Sequence, residues 1–154
     1  MKCVYTNCLH DTKEILEGED FRKDKNKYYH LDCWDCKHKI NEIITLFSEQ
    51  VNPNVVFTVL RSVINNLIFK QKNEPGYVLY AIKYAINHPQ MKLTYPQGLY
   101  RICKDNEVLE SYKKLKADKI LEGQKVKIDT IQYNNFEVNN TKKKKNVSDL
   151  FGGY

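Results

Sequence analysis

The stretch KYYHLDCWDC, residues 27–36, sets His30, Cys33 and Cys36 at successive three-residue intervals. Cys3 and Cys8 stand near the start of the sequence, and the fifth cysteine, Cys103, lies far from the other four. An odd number of cysteines, four of them in the first 36 residues, makes a poor disulfide framework. In a reducing compartment a metal site is the stronger reading. Cys3-x4-Cys8 and His30-x2-Cys33 form two close pairs, and together they supply the four thiolate and imidazole ligands that zinc takes in tetrahedral coordination. A loop would give one pair and a helix start the other. A shell of three thiolates and one imidazole is closed, which favours a structural role over a catalytic one. Structural zinc contributes on the order of 10 kcal/mol in small modules, so residues 1–36 are expected to be unfolded without metal.

Cys36 has three readings: a small buried hydrophobe, a replacement ligand for Cys33, or half of a redox pair with Cys33. The redox reading lacks the βαβ context that thioredoxin-like pairs occupy. His10 and His38 are further candidate ligands, although each reads first as an isolated surface histidine; Cys103 reads as a core residue, and Trp34 as packing against the finger rather than as a platform for bases. The polar interior HDTKEILEGEDFRKDKNKYY, residues 10–29, suits a β-hairpin tied down by metal, with a turn at Glu17-Gly18-Glu19.

The half-site resembles the first zinc site of a LIM domain, or more generally a treble-clef finger, whose last two ligands sit at a helix N-terminus. It departs from LIM in its first knuckle, which holds four residues between the cysteines against the usual two. Lys39 stands where the next cysteine of a second LIM site would follow Cys36.

Beyond the finger the pattern is helical. A helix is expected from Leu31 to about Glu49, with Ile40, Ile43, Ile44 and Phe47 on one face. Asn52-Pro53 reads as an N-cap followed by proline in the first helical position. The helix after it should carry Val56, Val59, Leu60, Val63, Ile64 and Leu67 inward, until Asn73–Gly76 breaks it. A third helix carries Tyr77, Leu79, Ala81, Ile82, Tyr84, Ala85 and Ile86, and Pro89 ends it. Tyr95–Cys103 is either extended or one more helical turn. Asp105–Glu122 is a last amphipathic helix, with Val108, Leu109, Tyr112 and Leu115 as its apolar positions, closed at Gly123. KVKIDTIQYNNFEV, residues 125–138, alternates well enough for a short hairpin turning at Asn134-Asn135, or for an arm that pairs on a partner. The expected fold is mainly α with a small N-terminal zinc-bound β-hairpin, an α+β chain. Its parts are a zinc module at 1–40, a helical body at 41–122, and a β-like arm with a basic tail at 123–154.

The 154 residues carry 25 Lys and Arg against 19 Asp and Glu, a net charge of +6. That excess is uneven. Residues 1–51 are mildly acidic, whereas residues 52–104 hold seven basic residues and the single acid Glu74. A polyanion would therefore be expected on the middle and the tail. Lys83, Lys92, Arg101 and Lys104, interleaved with Tyr77, Tyr80, Tyr95 and Tyr100, read as a surface for DNA or RNA: cations for phosphates, rings for stacked bases. Lys142, Lys143, Lys144 and Lys145 extend it. The bland alternative is a tyrosine core under solvated lysines.

Residues 76–102 resemble the helical core of the DnaD-like domain of Gram-positive replication initiation proteins, through Tyr84-Ala85-Ile86-Asn87 and Tyr95-Pro96-Gln97-Gly98-Leu99. The whole chain is similar to small zinc-finger proteins of Gram-positive bacteriophages and prophages. Asp149-Leu150-Phe151 resembles the end of the bacterial sliding-clamp-binding peptide, which implies Leu150 and Phe151 filling an apolar pocket on a partner. In that peptide Gln and Leu stand where this chain has Val147 and Ser148.

No apolar run approaches the roughly 20 residues of a membrane span, and no secretory signal is visible, so a cytoplasmic protein of a bacterial host cell is expected. A Gly-rich phosphate loop, a His-Glu-x2-His helix and a Gly-x-Ser-x-Gly elbow are all missing, which argues against an enzyme. The expected function is that of a non-enzymatic, zinc-binding accessory protein of phage type in replication or transcription. Its alternative is an inhibitor that docks on a host polymerase, sliding clamp or defence nuclease without touching nucleic acid.

Overall fold

The structure, a computed structural model, describes residues 1–122. The N-terminal part is a two-stranded antiparallel hairpin, β1 (Phe21–Asp24) and β2 (Lys27–His30), with Phe21 opposite His30 and Asp24 opposite Lys27. Its turn is at Lys25-Asn26, where Lys25 takes a left-handed conformation at φ 54°. The sequence predicts a turn at Glu17-Gly18-Glu19 within the same segment. A turn does occur there, with Gly18 at φ 93°, but it only reverses the loop that leads into β1. The segment thus turns twice, because the N-terminal residues need their own partner strand. They find it in short bridges from Lys2 to Glu14 and from Cys3 to Tyr28. The Cys3 amide donates to the Lys13 carbonyl, and the Val4 amide to that of Tyr28.

Helix α1 (Leu31–Gln50) starts directly after β2 and buries Cys33, Cys36, Ile40, Ile43, Ile44 and Phe47 along one face. Its start and its inward face agree with the helical spacing of those residues. Helix α2 (Phe57–Asn65) starts four residues later than the Asn52-Pro53 signal implies. The Asn52 side chain accepts from the Asn54 amide, and the Asn52 carbonyl accepts from Val55. These residues spend their capping chemistry on a local turn rather than on a helix. The shift exposes Val56 and Val59, which the sequence reading had placed inward, while Leu60, Val63, Ile64 and Leu67 are buried as expected.

Helix α2 runs on into a wide π-type turn, Asn66–Lys70, closed by the Gln71 amide on the Asn66 carbonyl. Lys72 follows in a left-handed conformation at φ 59°. Helix α3 (Pro75–Asn87) has proline in its first turn, so Pro75 and Gly76, read as part of a break, begin a helix instead. It buries Tyr77, Val78, Leu79, Ala81, Ile82 and Ala85, whereas Tyr84 and Ile86 are only half-buried. A short 3-10 turn (Pro89–Met91) and helix α4 (Gly98–Ile102) complete this part, resolving Tyr95–Cys103 as a helical turn. Helix α1 packs chiefly on α3, with α2 also against α1 and α4 against α3. The result is mainly helical with one small hairpin.

Residues 106–122 form a last helix, α5. The Asp105 carboxylate caps it, accepting from the amides of Glu107 and Val108 at 2.9 and 3.4 Å. Replacing Asp105 by Ala should cost about 1 kcal/mol. Thermal unfolding of Asp105→Ala beside Asp105→Asn checks this: the Asn variant retains the cap and should lose little. Residues Met1–Leu109 form one compact unit. The expected hairpin at 125–138 lies outside the described residues.

Candidate metal centre

Three local structures meet at one point. The N-terminal segment, locked between the Lys13 carbonyl and β2, fixes Cys3. The loop after it brings in Cys8. The end of β2 and the first turn of α1 bring in His30 and Cys33, three residues apart on one helical turn. The donor atoms of Cys3, Cys8, His30 and Cys33 all lie within 4.8 Å of one another, close enough for a single metal ion to bridge. Cys3, His30 and Cys33 are buried and Cys8 is partly exposed. All the cysteines are free thiols.

Polar groups around the cluster aim these ligands. The His30 Nε2 faces the Glu14 carbonyl at 3.3 Å, and Nδ1 faces the sulfurs of Cys8 and Cys33. An imidazole that donates through Nε2 presents its Nδ1 lone pair to the sulfurs, the tautomer a metal requires. The Leu9 amide points at the Cys33 sulfur from 3.4 Å, a donor suited to a thiolate. Burial pushes the Cys33 thiol well above its ordinary range. Close-packed thiols without a cation resist ionisation, so a bound cation is what would make these sulfurs thiolates.

His10 is not the isolated surface residue of the sequence reading. Its ring stacks on His30 at 3.8 Å, and its Nε2 lies 3.0 Å from both Asp32 oxygens. Burial would raise the Asp32 carboxyl. The hydrogen bonds from His10 and from the Cys33 amide outweigh it and hold Asp32 below its ordinary value. Spacing alone could not have found this, since Asp32 meets His10 only once the loop folds over the helix start.

Cys36 is outside the cluster. It is buried, with its sulfur 3.8 Å from the Tyr5 hydroxyl, which matches the packing reading. Trp34 lies against Tyr29 and His38, and the Lys37 ammonium sits 4.4 Å and 5.1 Å from the Tyr29 and Trp34 ring centres. Trp34 is therefore a packing residue. Cys103 is buried, and burial raises its thiol to about 12, so it is an inert core residue.

The basic residues of the middle are put to mixed use. Lys83 pairs with Glu42 at 3.6 Å. The Arg101 guanidinium donates to the carbonyls of Met91 and Lys92, holding the 3-10 turn against α4. Lys92 and Lys104 are exposed. Tyr77 is buried and donates to the Cys103 carbonyl, Tyr100 accepts from the Asn66 side chain, and Tyr80 lies near Tyr84. Of the four tyrosines proposed as stacking platforms, only Tyr95 is exposed. Lys142–Lys145 and Asp149–Phe151 lie outside the described residues.

Fold and site together define a helical protein with a small N-terminal hairpin and a Cys3His cluster that can hold a metal. No family model matches the chain, and no curated protein or solved structure is similar to it. Among the described residues, no helix is long and apolar enough to cross a membrane.

Proposed function

We propose that Cys3, Cys8, His30 and Cys33 hold one structural zinc ion, and that the protein is a non-catalytic, metal-stabilised module that binds nucleic acid. The spacing of the donor atoms carries the metal assignment. Zinc lies about 2.3 Å from sulfur and about 2.0–2.1 Å from nitrogen, so a tetrahedron places two sulfurs about 3.8 Å apart. Sulfur and nitrogen then sit about 3.5–3.6 Å apart. Cys8 and Cys33 sulfurs are separated by 3.7 Å, and His30 Nδ1 is 3.5 Å from Cys8 and 3.8 Å from Cys33. These three edges agree with the tetrahedron to about 0.3 Å, and the Cys3 sulfur lies within 4.8 Å of the other donors. Four protein ligands fill it, leaving no position for a substrate or an activated water. A knuckle, a hairpin and a helix start that share one ion make a treble-clef-like arrangement.

The charge supports the nucleic-acid part. Seven cations against one acid over residues 52–104, in a chain of net +6, favour a polyanionic partner. The protein would act in the cytoplasm, alongside the replication or transcription machinery. Fluorescence anisotropy with labelled single-stranded and duplex oligonucleotides tests this reading. The log of the binding constant should fall linearly with the log of the salt concentration, as phosphate contacts release counterions. A protein that binds neither form at low salt is not a nucleic-acid-binding protein.

A further inference from the structure

Four carboxylates of the N-terminal module gather on one face. Glu19, Asp20, Asp32 and Asp35 line a cleft beside His10 and His30. On α1, Asp32, Asp35 and Lys39 recur at helical spacing on one side, while Lys37 and Asn41 project from the opposite side. That opposite side borders a second cleft, of about 490 Å³, that no carboxylate lines.

The metal module supplies Tyr5, Asn7 and Lys27 to its wall; α1 supplies Lys37, and α2 supplies Arg61 and Asn65. Lys27 and Arg61 are exposed, and neither forms an ion pair among the described residues. Lys37 is steadied by uncharged partners: its ammonium donates to the Tyr29 hydroxyl at 3.1 Å and lies over the Tyr29 and Trp34 rings. Its charge is placed but not neutralised. Three uncompensated cations around one concave surface attract an anion, and three carboxamides beside them, Asn7, Asn41 and Asn65, can read polar edges.

We propose that this cleft binds single-stranded nucleic acid, with Lys27, Lys37 and Arg61 on phosphates and Asn7 and Asn65 on base edges. The proposal rests on the nucleic-acid reading above and gives it a site. A strand fits better than a duplex, because a concave wall can reach phosphates and bases of one strand together. A duplex is a convex rod that turns its bases inward. The site is also shared between the metal module and the helices. It differs from the surface around Lys83 and Arg101, where Lys83 is paired with Glu42 and the Arg101 guanidinium is held by backbone carbonyls.

The test compares two double variants of equal charge loss, Lys27→Gln/Arg61→Gln in the cleft and Lys83→Gln/Lys92→Gln away from it. Anisotropy is measured on a labelled single strand across a salt series, and zinc content and thermal unfolding confirm that both variants fold. Two lost phosphate contacts on a single strand should flatten the salt slope by about 1.4 and weaken binding about 25-fold near 0.1 M salt. The distal pair should change binding far less. Equal weakening by both pairs, or none by the cleft pair, overturns the cleft but leaves nucleic-acid binding in place. Tighter binding of a duplex of the same sequence also overturns it. A wild-type protein that binds no nucleic acid removes both readings at once.

Discussion

Stripping the metal with a strong chelator is expected to unfold the knuckle and hairpin while leaving most of the helical signal intact. The reason is where the apolar contacts lie. Around the centre only Cys3, Ile15, Tyr29 and Cys33 form a buried cluster, with Tyr5, Cys8, Tyr28 and Trp34 packed against it. Two of the four fully buried members, and one of the packed ones, are ligands. A cluster that small cannot offset the chain entropy of some thirty residues, and the proposed zinc would supply the difference, on the order of 10 kcal/mol. The helices have their own buried residues, including Phe47, Leu60, Ile64, Val78 and Ile82, none of which touches a ligand position in sequence. Limited proteolysis checks the prediction: cuts should appear within residues 1–30 of the apo protein and not of the metal-loaded one. Cys33→Ser should reproduce the apo pattern with metal present, whereas Cys36→Ser should keep one zinc per chain by native mass spectrometry. An apo protein as resistant as the loaded one would show that the cluster is a packed set of thiols rather than a metal site.

The clustering of Cys3, Cys8, His30 and Cys33 was legible because residues of one candidate metal site fall in short-range pairs. His30-x2-Cys33 is a helical interval, and the four residues between Cys3 and Cys8 form a loop that a sequence displays directly. Helix α1 was legible for a similar reason, since Ile40, Ile43, Ile44 and Phe47 repeat at helical spacing without interruption. What was not legible depends on distant partners. The turn at Lys25-Asn26 comes in addition to the expected one, because β1 must pair with β2 in the register that sets Phe21 against His30. His10 gains its role from Asp32, across a fold of the loop. Arg101 looked like a free cation because its acceptors are backbone carbonyls, which have no sequence signature. The cationic cleft was hidden as well. A count over residues 1–51 balances Lys27 and Lys37 against acids that face another cleft, so a mildly acidic module conceals a basic face.

Phe47→Ala and Val56→Ser should give opposite results, and together they test the register of α1 and α2. Phe47 is fully buried on α1, near the turn where the Val51 and Asn52 amides both donate to its carbonyl. Truncating it removes a ring and leaves a void that the rigid ends of α1 and the following turn cannot easily close. The expected cost is about 3–5 kcal/mol, a large share of the roughly 5–15 kcal/mol that holds a domain of this size together. Val56 is apolar and falls on the face that simple periodicity assigns to the core, but it precedes α2 and is 62% exposed. Its change to Ser should shift stability by no more than about 0.5 kcal/mol. Denaturant midpoints measured on metal-loaded protein give both values, provided the transition slope stays constant between variants. If Val56→Ser destabilised as strongly as Phe47→Ala, α2 would have to begin at Pro53 and turn Val56 inward. The Asn52 turn, which starts α2 at Phe57, makes the first outcome the expected one.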